Sequence, residues 1–262
     1  MLGTMKFKTM CAAACATTLA FLAGCASVLQ VEAPDTVRAP ERSAWASRSA
    51  GAAGARSGWQ HYKLPGKTAT QFEYLRKDGR DALAVKAVSS ASMLRRELRI
   101  APADLGNVRF SWKVPELIAR ADMATRDADD SPVRVILAFE GDRSRFSAKN
   151  AMLSELARAV TGEEMPYATL MYVWCNKREP GTVITSARTD RVRKIVVESG
   201  ATKLNQWLDY ERNIRADYER AFGEAPGALV GVAIMTDSDN TRSTTQAWYG
   251  PVLIGPAPAS RH

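Results

Sequence analysis

The chain has 262 residues, carries 36 Lys+Arg against 28 Asp+Glu for a formal net charge of +8, and is 46% hydrophobic. That apolar share is enough for a packed core and excludes a wholly disordered chain. The positive excess is spread along the sequence without a long Lys/Arg block, so no nucleic acid is expected as a partner. Anionic lipid or glycan surfaces suit such a charge better, and a plainly solvated surface better still.

Lys6 and Lys8 are the only charges in the first 24 residues, and they precede an apolar run from Met10 to Gly24. A basic start followed by about 15 apolar residues is the pattern of a signal peptide. The run falls short of the ~20 residues that a spanning helix needs. Leu22-Ala23-Gly24-Cys25 resembles a lipobox, with small residues at the cleavage site and a thiol to acylate. Residues 1–24 are therefore expected to be a signal peptide and Cys25 a lipidation site; an ordinary cleaved signal and an uncleaved anchor helix are the competing readings. Several acyl chains would make the anchor effectively permanent. Ala26 stands where an inner-membrane retention signal would place Asp, so the expected location is the cell envelope, anchored in the outer membrane and facing the periplasm. Removing Lys6 and Lys8 lowers the net charge from +8 to +6.

Of the four cysteines, Cys11 and Cys15 would leave with the signal and Cys25 would be acylated. Cys175 then has no disulfide partner within a mature chain. It follows Tyr172-Val173-Trp174 and reads as a buried core thiol, with a catalytic cysteine as the minor reading.

Residues 25–58 are rich in Ala, Ser, Arg, Pro and Gly and show little apolar period, so they read as a lipidated flexible tether. Residues 59–255 are the expected domain, and 256–262 a tail. Within the domain the strand pattern dominates. Gln71–Arg76, Ala82–Val88, Ser92–Ile100, Val108–Val114 and Val133–Phe139 alternate or are apolar throughout, and Thr169–Trp174, Arg191–Glu198, Leu229–Met235 and Gln246–Ile254 follow. Many short strands separated by turn residues predict a mainly β fold, an antiparallel β-sandwich or barrel. Asn150–Val160 has helical spacing. Trp207–Phe222 reads as a strand that gives way to a short helix from about Arg215, stopped by Gly223.

Histidine is scarce: only His61 and His262 are present, so a triad would have to use His61 at the domain's edge. No Gly-x-Ser-x-Gly elbow or His-Glu-x-x-His motif occurs. Gly66-Lys67-Thr68 lacks the earlier glycine of a phosphate loop and is a chance match. The densest polar segment is Met235-Thr-Asp-Ser-Asp-Asn-Thr241, where Asp237, Asp239 and Asn240 offer hard oxygen ligands. As an EF-hand loop it fails, because Arg242 falls at position six and Trp248 at position twelve. Three readings stay open: a turn whose carboxylates accept backbone N–H groups, a calcium site of another kind at Asp237 and Asp239, and a ligand-facing loop. Asp129 and Asp130 form a second acidic group. Were the two loops to converge, their carboxylates would suit a cation or an acid/base pair on a glycosidic bond. Trp248 and Tyr249 are adjacent, so in a strand they face opposite ways and only one can point inward.

The segments Phe110-Ser-Trp-Lys-Val114, Asp129-Asp130-Ser-Pro-Val-Arg-Val135, Tyr172-Val-Trp174 and Gly231-Val-Ala-Ile-Met-Thr-Asp-Ser-Asp-Asn-Thr241, ending in Ala247-Trp-Tyr-Gly250, occur in order. Together they resemble the bacterial domain-of-unknown-function family number 3047, over roughly residues 59–254. The resemblance implies an exported, jelly-roll-like sandwich similar to carbohydrate-binding modules, with no assigned activity. The family's motif positions fall on Trp112, Asp129, Asp130, Trp174, Asp237, Asp239, Asn240 and Tyr249. Pro251 departs from the family pattern, which more usually has an acidic residue there, and a proline at that point suits an edge or bulge. The function expected is a non-catalytic envelope module binding glycan or another polar ligand, with Asp129, Asp130, Asp237, Asp239 and Asn240 giving hydrogen bonds and Trp248 or Tyr249 stacking. No cofactor is expected apart from calcium at the acidic loops. A carboxylate-dependent glycan hydrolase or lyase is the enzymatic alternative, and a structural lipoprotein the third.

Overall fold

The computed structural model describes residues 43–49 and 58–256. The chain divides into two units, 1–35 and 36–262, and the first lies outside the described residues. The signal peptide, Cys25 and His262 are outside them too. Among the described residues no helix is long and apolar enough to cross a membrane.

The domain is a two-layer β-sandwich. One layer has seven strands in the order β1-β4-β11-β6-β7-β9-β8, formed by Gln60–Lys63 (β1), Ala91–Ile100 (β4), Leu229–Asp237 (β11), Ser131–Phe139 (β6), Ala168–Cys175 (β7), Val192–Ser199 (β9) and Val183–Thr185 (β8). The other has six: Trp207–Asn213 (β10), Leu105–Lys113 (β5), Thr244–Tyr249 (β12), Arg80–Val88 (β3) and Gln71–Lys77 (β2) in that order, with Leu253–Pro256 (β13) added on β5. All pairings are antiparallel except β7 with β9, so the expected antiparallel sandwich is present with one parallel step.

Period-two alternation explains the layering. Val133, Val135, Leu137 and Phe139 on β6, and Leu170, Tyr172 and Trp174 on β7, point inward and are fully buried. They meet Leu83, Val85, Val108, Phe110, Trp112 and Tyr249 of the opposite sheet in one core. Phe110 stacks on Tyr172 across the layers with ring centroids 5.4 Å apart. Tyr249 is the inward member of its pair and ties the layers with its hydroxyl. It donates to the Met235 carbonyl at 2.6 Å and accepts from the Arg134 amide at 3.1 Å. Cys175 is a free, buried thiol, as its neighbours suggested.

Two helices fall where the sequence placed them. Ala148–Thr161 (α2) is capped by Ser147, and Ile214–Phe222 (α3) follows β10 directly, ending at Gly223 with φ 71°. Three features differ from expectation. β1 and β8 are too short to show a period. Gln246–Ile254 is two strands, because Gly250 donates to Ser111 O at 2.9 Å and Pro251 has no N–H to continue the ladder. A Cβ at Gly250 would lie 2.1 Å from Ser111 Oγ, so a larger residue there would need that hydroxyl to move. Finally, the segment read as tether contains a short helix, Ala44–Arg48 (α1), capped by Ser43. Its Trp45 is fully buried and packs on Trp59 at 5.0 Å. One aromatic outweighs the composition around it, because burying such a ring offsets the ordering of a few residues.

Candidate functional site

The outward face of the seven-stranded sheet carries the site. Strand register lays its residues out in rows. One row runs Met93, Met235, Arg134, and the next Arg95, Ala233, Ile136, Met171, with Lys194 of β9 beyond it. A third runs Glu97, Gly231, Ala138, Thr169. Side-chain size therefore drops to a minimum along Gly231, Ala233 and Ala138. The hollow that results is a groove of about 840 Å³. Met93, Met171, Met235 and Ile136 floor it, Leu153 and Ala157 of α2 form one wall, and Leu64 and Pro65 lie at another. Arg95 with Glu163 and Arg99 with Glu140 form ion pairs along its sides.

The acidic loops meet at one end of this groove. Arg134 sits at an outward position of an otherwise apolar strand and is 3% exposed. Its Nε and Nη2 donate to the two Asp237 oxygens at 2.8 and 3.0 Å, and Nη2 also reaches Asp129 O and Oδ1 at 2.8 and 3.1 Å. Lys194 spends all three of its N–H bonds, on both Asp129 oxygens at 2.8 and 2.7 Å and on Met123 O at 2.8 Å. Two cations and two carboxylates thus neutralise one another out of water, the arrangement that makes buried charge tolerable. Burial pushes Asp237 up to about 6 against the pull of Arg134. Burial and the neighbouring Arg134 cation bring Lys194 down to about 8, although Asp129 opposes them. At Asp129 burial works upward, but Arg134 and Lys194 outweigh it and hold the carboxyl low.

Asp130 is fully buried and joins the two loops. It accepts from the Asn240 amide at 3.2 Å, the Thr241 amide at 2.7 Å and Thr241 Oγ1 at 2.6 Å. Asn240 in turn donates through Nδ2 to Arg126 O at 3.3 Å, and Asp239 pairs with Lys67. Asp129, Asp130, Asp237, Asp239 and Asn240 are therefore brought together, but chiefly to bond one another's loops. Tyr249, expected as a stacking residue, is sealed in the core by its hydroxyl bonds and presents no ring to a ligand. Trp248 is half-buried on the other sheet, under Lys77 Nζ at 4.7 Å, and does not reach the groove. The alternation that turned Tyr249 inward is what sends Trp248 to the far side.

Oxygens of Asp130, Asp237 and Asp239 lie within 4.8 Å of one another. Yet those of Asp130 and Asp237 already accept from amides, a hydroxyl and a guanidinium, and Asp239 holds an ammonium. A calcium ion needs six to eight oxygens free of such donors, so the set does not fit one. Adding a strong chelator should leave the thermal midpoint within about 1 °C, since no stabilising ligand would be removed; differential scanning calorimetry checks this.

His61 does meet a serine: its Nε2 lies 2.8 Å from Ser92 Oγ. That hydroxyl is fully buried and accepts from the Thr70 amide at 2.8 Å, so it is a structural contact and not an accessible nucleophile.

The chain belongs to the family described as protein of unknown function (DUF3047), whose model matches residues 57–253. No curated protein matches it. Among solved structures it is similar to the xyloglucanase domain of NopAA, a type three effector from Sinorhizobium fredii in complex with cellobiose. There the identity is 6%, the TM-score 0.37, and the match covers 77% of this chain and 99% of that one. It is similar also to Trichoderma harzianum endoglucanase 3 from family GH12, at 9% identity and TM-score 0.37, over 76% of this chain and 97% of that one. A third is the endo-1,4-beta-glucanase CelB2, at 8% identity and TM-score 0.36, over 78% and 89%. Likeness at this level transfers neither substrate nor residues.

Proposed function

We propose that this member of the family is a non-catalytic binding module of the cell envelope, held to the outer membrane through Cys25 and facing the periplasm, with its ligand in the groove of the seven-stranded sheet. The lane of small side chains at Gly231, Ala233 and Ala138, floored by methionines, is the observation that carries this reading. Pockets of this size, largely apolar with a few fixed polar groups, are the usual form of a small-ligand site.

The lining favours an elongated amphipathic ligand. Methionine side chains are flexible and polarizable and adapt to an aliphatic chain. Tyr62 is the one aromatic ring at the groove, and the Arg95 guanidinium lies 4.0 Å over it. The charged lining residues balance, with Lys67, Arg95, Arg96, Arg99, Arg134, Arg188 and Lys194 against Glu97, Asp129, Glu140, Glu163, Glu164, Asp237 and Asp239. Such a wall selects a neutral or zwitterionic head over one of single sign. An oligosaccharide is the second reading, favoured by the Arg95–Glu163 and Arg99–Glu140 pairs, whose planar groups suit hydroxyls. The enzymatic reading gains least. A glycoside hydrolase needs two carboxyl groups free to face the bond, one as acid and one as base or nucleophile. Asp129, Asp237, Asp239, Glu140 and Glu163 all hold a cation already.

Calorimetric titration of the full chain separates these. A single-chain phosphocholine lipid below its micelle concentration is expected to bind saturably with a negative heat-capacity change. Binding of a neutral β-glucan oligosaccharide alone would move the assignment to the second reading, and binding of neither would remove the groove as a ligand site.

A further inference from the structure

Helix α2 is inverted. A surface helix normally buries an apolar stripe and shows polar residues to water. Here the buried positions are Asn150 and Ser154. Asn150 donates to Asp190 Oδ1 at 2.6 Å and accepts from Thr189 Oγ1 at 2.7 Å, while Ser154 accepts from Arg143 at 2.8 Å. The opposite side carries Met152, Leu156 and Val160, spaced by four and 63%, 58% and 58% exposed. The described residues hold only five large exposed hydrophobics, so three of them share one helix face. Scattered exposed apolar residues need no explanation, but an aligned set does.

We infer that this face of α2 is a membrane-contact surface, which lies in the headgroup region of a bilayer containing anionic lipid. Charge decides among occupants. Lys149 is exposed and sits three and seven residues before Met152 and Leu156, hence on the same face. That places an ammonium at the N-terminal end of the apolar stripe. It suits a bilayer, where the stem buries and the head reaches lipid phosphates. The one acid of the helix does not cancel it, because Glu155 is paired with Arg158. Chain length is compatible as well. Cys25 precedes Ser43, the cap of the docked helix α1, by 18 residues, and a coil of that length would span about 23 Å on average. A lipid on Cys25 would then keep the domain within reach of the same surface. Leu153 and Ala157, next to the stripe, line the groove, so the groove would open beside the bilayer. The inference stands on α2 and holds whatever the groove binds.

Hydrogen exchange on the full chain, read peptide by peptide, tests it. Vesicles of phosphatidylcholine with phosphatidylglycerol should slow exchange across 148–161 by about tenfold, with less effect from phosphatidylcholine alone. Met152→Asp with Leu156→Asp should abolish that protection, and Lys149→Glu should abolish the preference for anionic vesicles. Unchanged exchange in the β-strands of the same samples shows that the variants are folded. Protection that survives the double substitution overturns the inference, as does none with vesicles in the parent chain. Protection that grows with protein concentration without vesicles overturns it in favour of a second copy.

Discussion

Replacing Asp237 by alanine is expected to cost about 3–5 kcal/mol of stability, because it removes one partner of a buried ion pair and leaves the other charged. Arg134 would lose its two bonds to Asp237 and keep only Asp129 as a carboxylate partner, and the Ser131 amide, which donates to Asp237 Oδ1 at 3.1 Å, would lose its acceptor. For a domain of this size that corresponds to a fall of about 6–20 °C in thermal midpoint. Asp237→Asn keeps one oxygen for these donors and should lose roughly half as much. A side chain that only touched a ligand would leave the midpoint unmoved on truncation. Denaturant unfolding monitored by tryptophan fluorescence measures the difference, and an Asp237→Ala variant as stable as the parent would refute the structural role.

Filling the groove should have the opposite signature. A Cβ at Gly231 would meet the Ala138 Cβ at 3.5 Å and Arg96 O at 3.8 Å, ordinary contacts that the backbone tolerates. The rest of a leucine side chain would then occupy the space between Ala138 and Glu97. Gly231→Leu is therefore expected to weaken ligand binding by at least about 30-fold, or roughly 2 kcal/mol. Its stability should change by less than about 1 kcal/mol. Ala233→Phe fills the adjacent row and should behave alike. Calorimetric titration against the parent chain checks both; affinity retained in both variants would place the ligand elsewhere.

Legibility in the sequence followed the length and regularity of each pattern. Val133–Phe139 and Leu229–Met235 show their strands because apolar residues run on over several positions, and both belong to the buried centre of one sheet. The end of α3 was visible because Gly223 supplies a helix stop. The acidic loops were singled out as chemistry, and they do converge. Their role depends on Arg134 and Lys194, whose distance in sequence hides the pairing. Arg134, a lone cation inside an apolar strand, was the available signal, since such a charge must find a carboxylate if buried; Lys194 stands beside Arg193 and gave none. The groove itself left no motif. It arises from small residues made neighbours by strand register, and pairing between Gly231 and Ala138 cannot be read from either segment alone. Trp45 was hidden by its surroundings of Ala, Ser, Gly and Arg, where composition argued for a tether.

The methyl groups of methionine give the most direct reading of where a ligand sits. With ¹³C-methyl-methionine in the full chain, the amphiphile should shift Met93, Met171 and Met235 on the groove floor together. Met123, buried in a separate cluster with Val173 and Cys175, should stay in place. Binding heat without movement of those three methyls, or movement at Met123 alone, would contradict a groove-bound ligand.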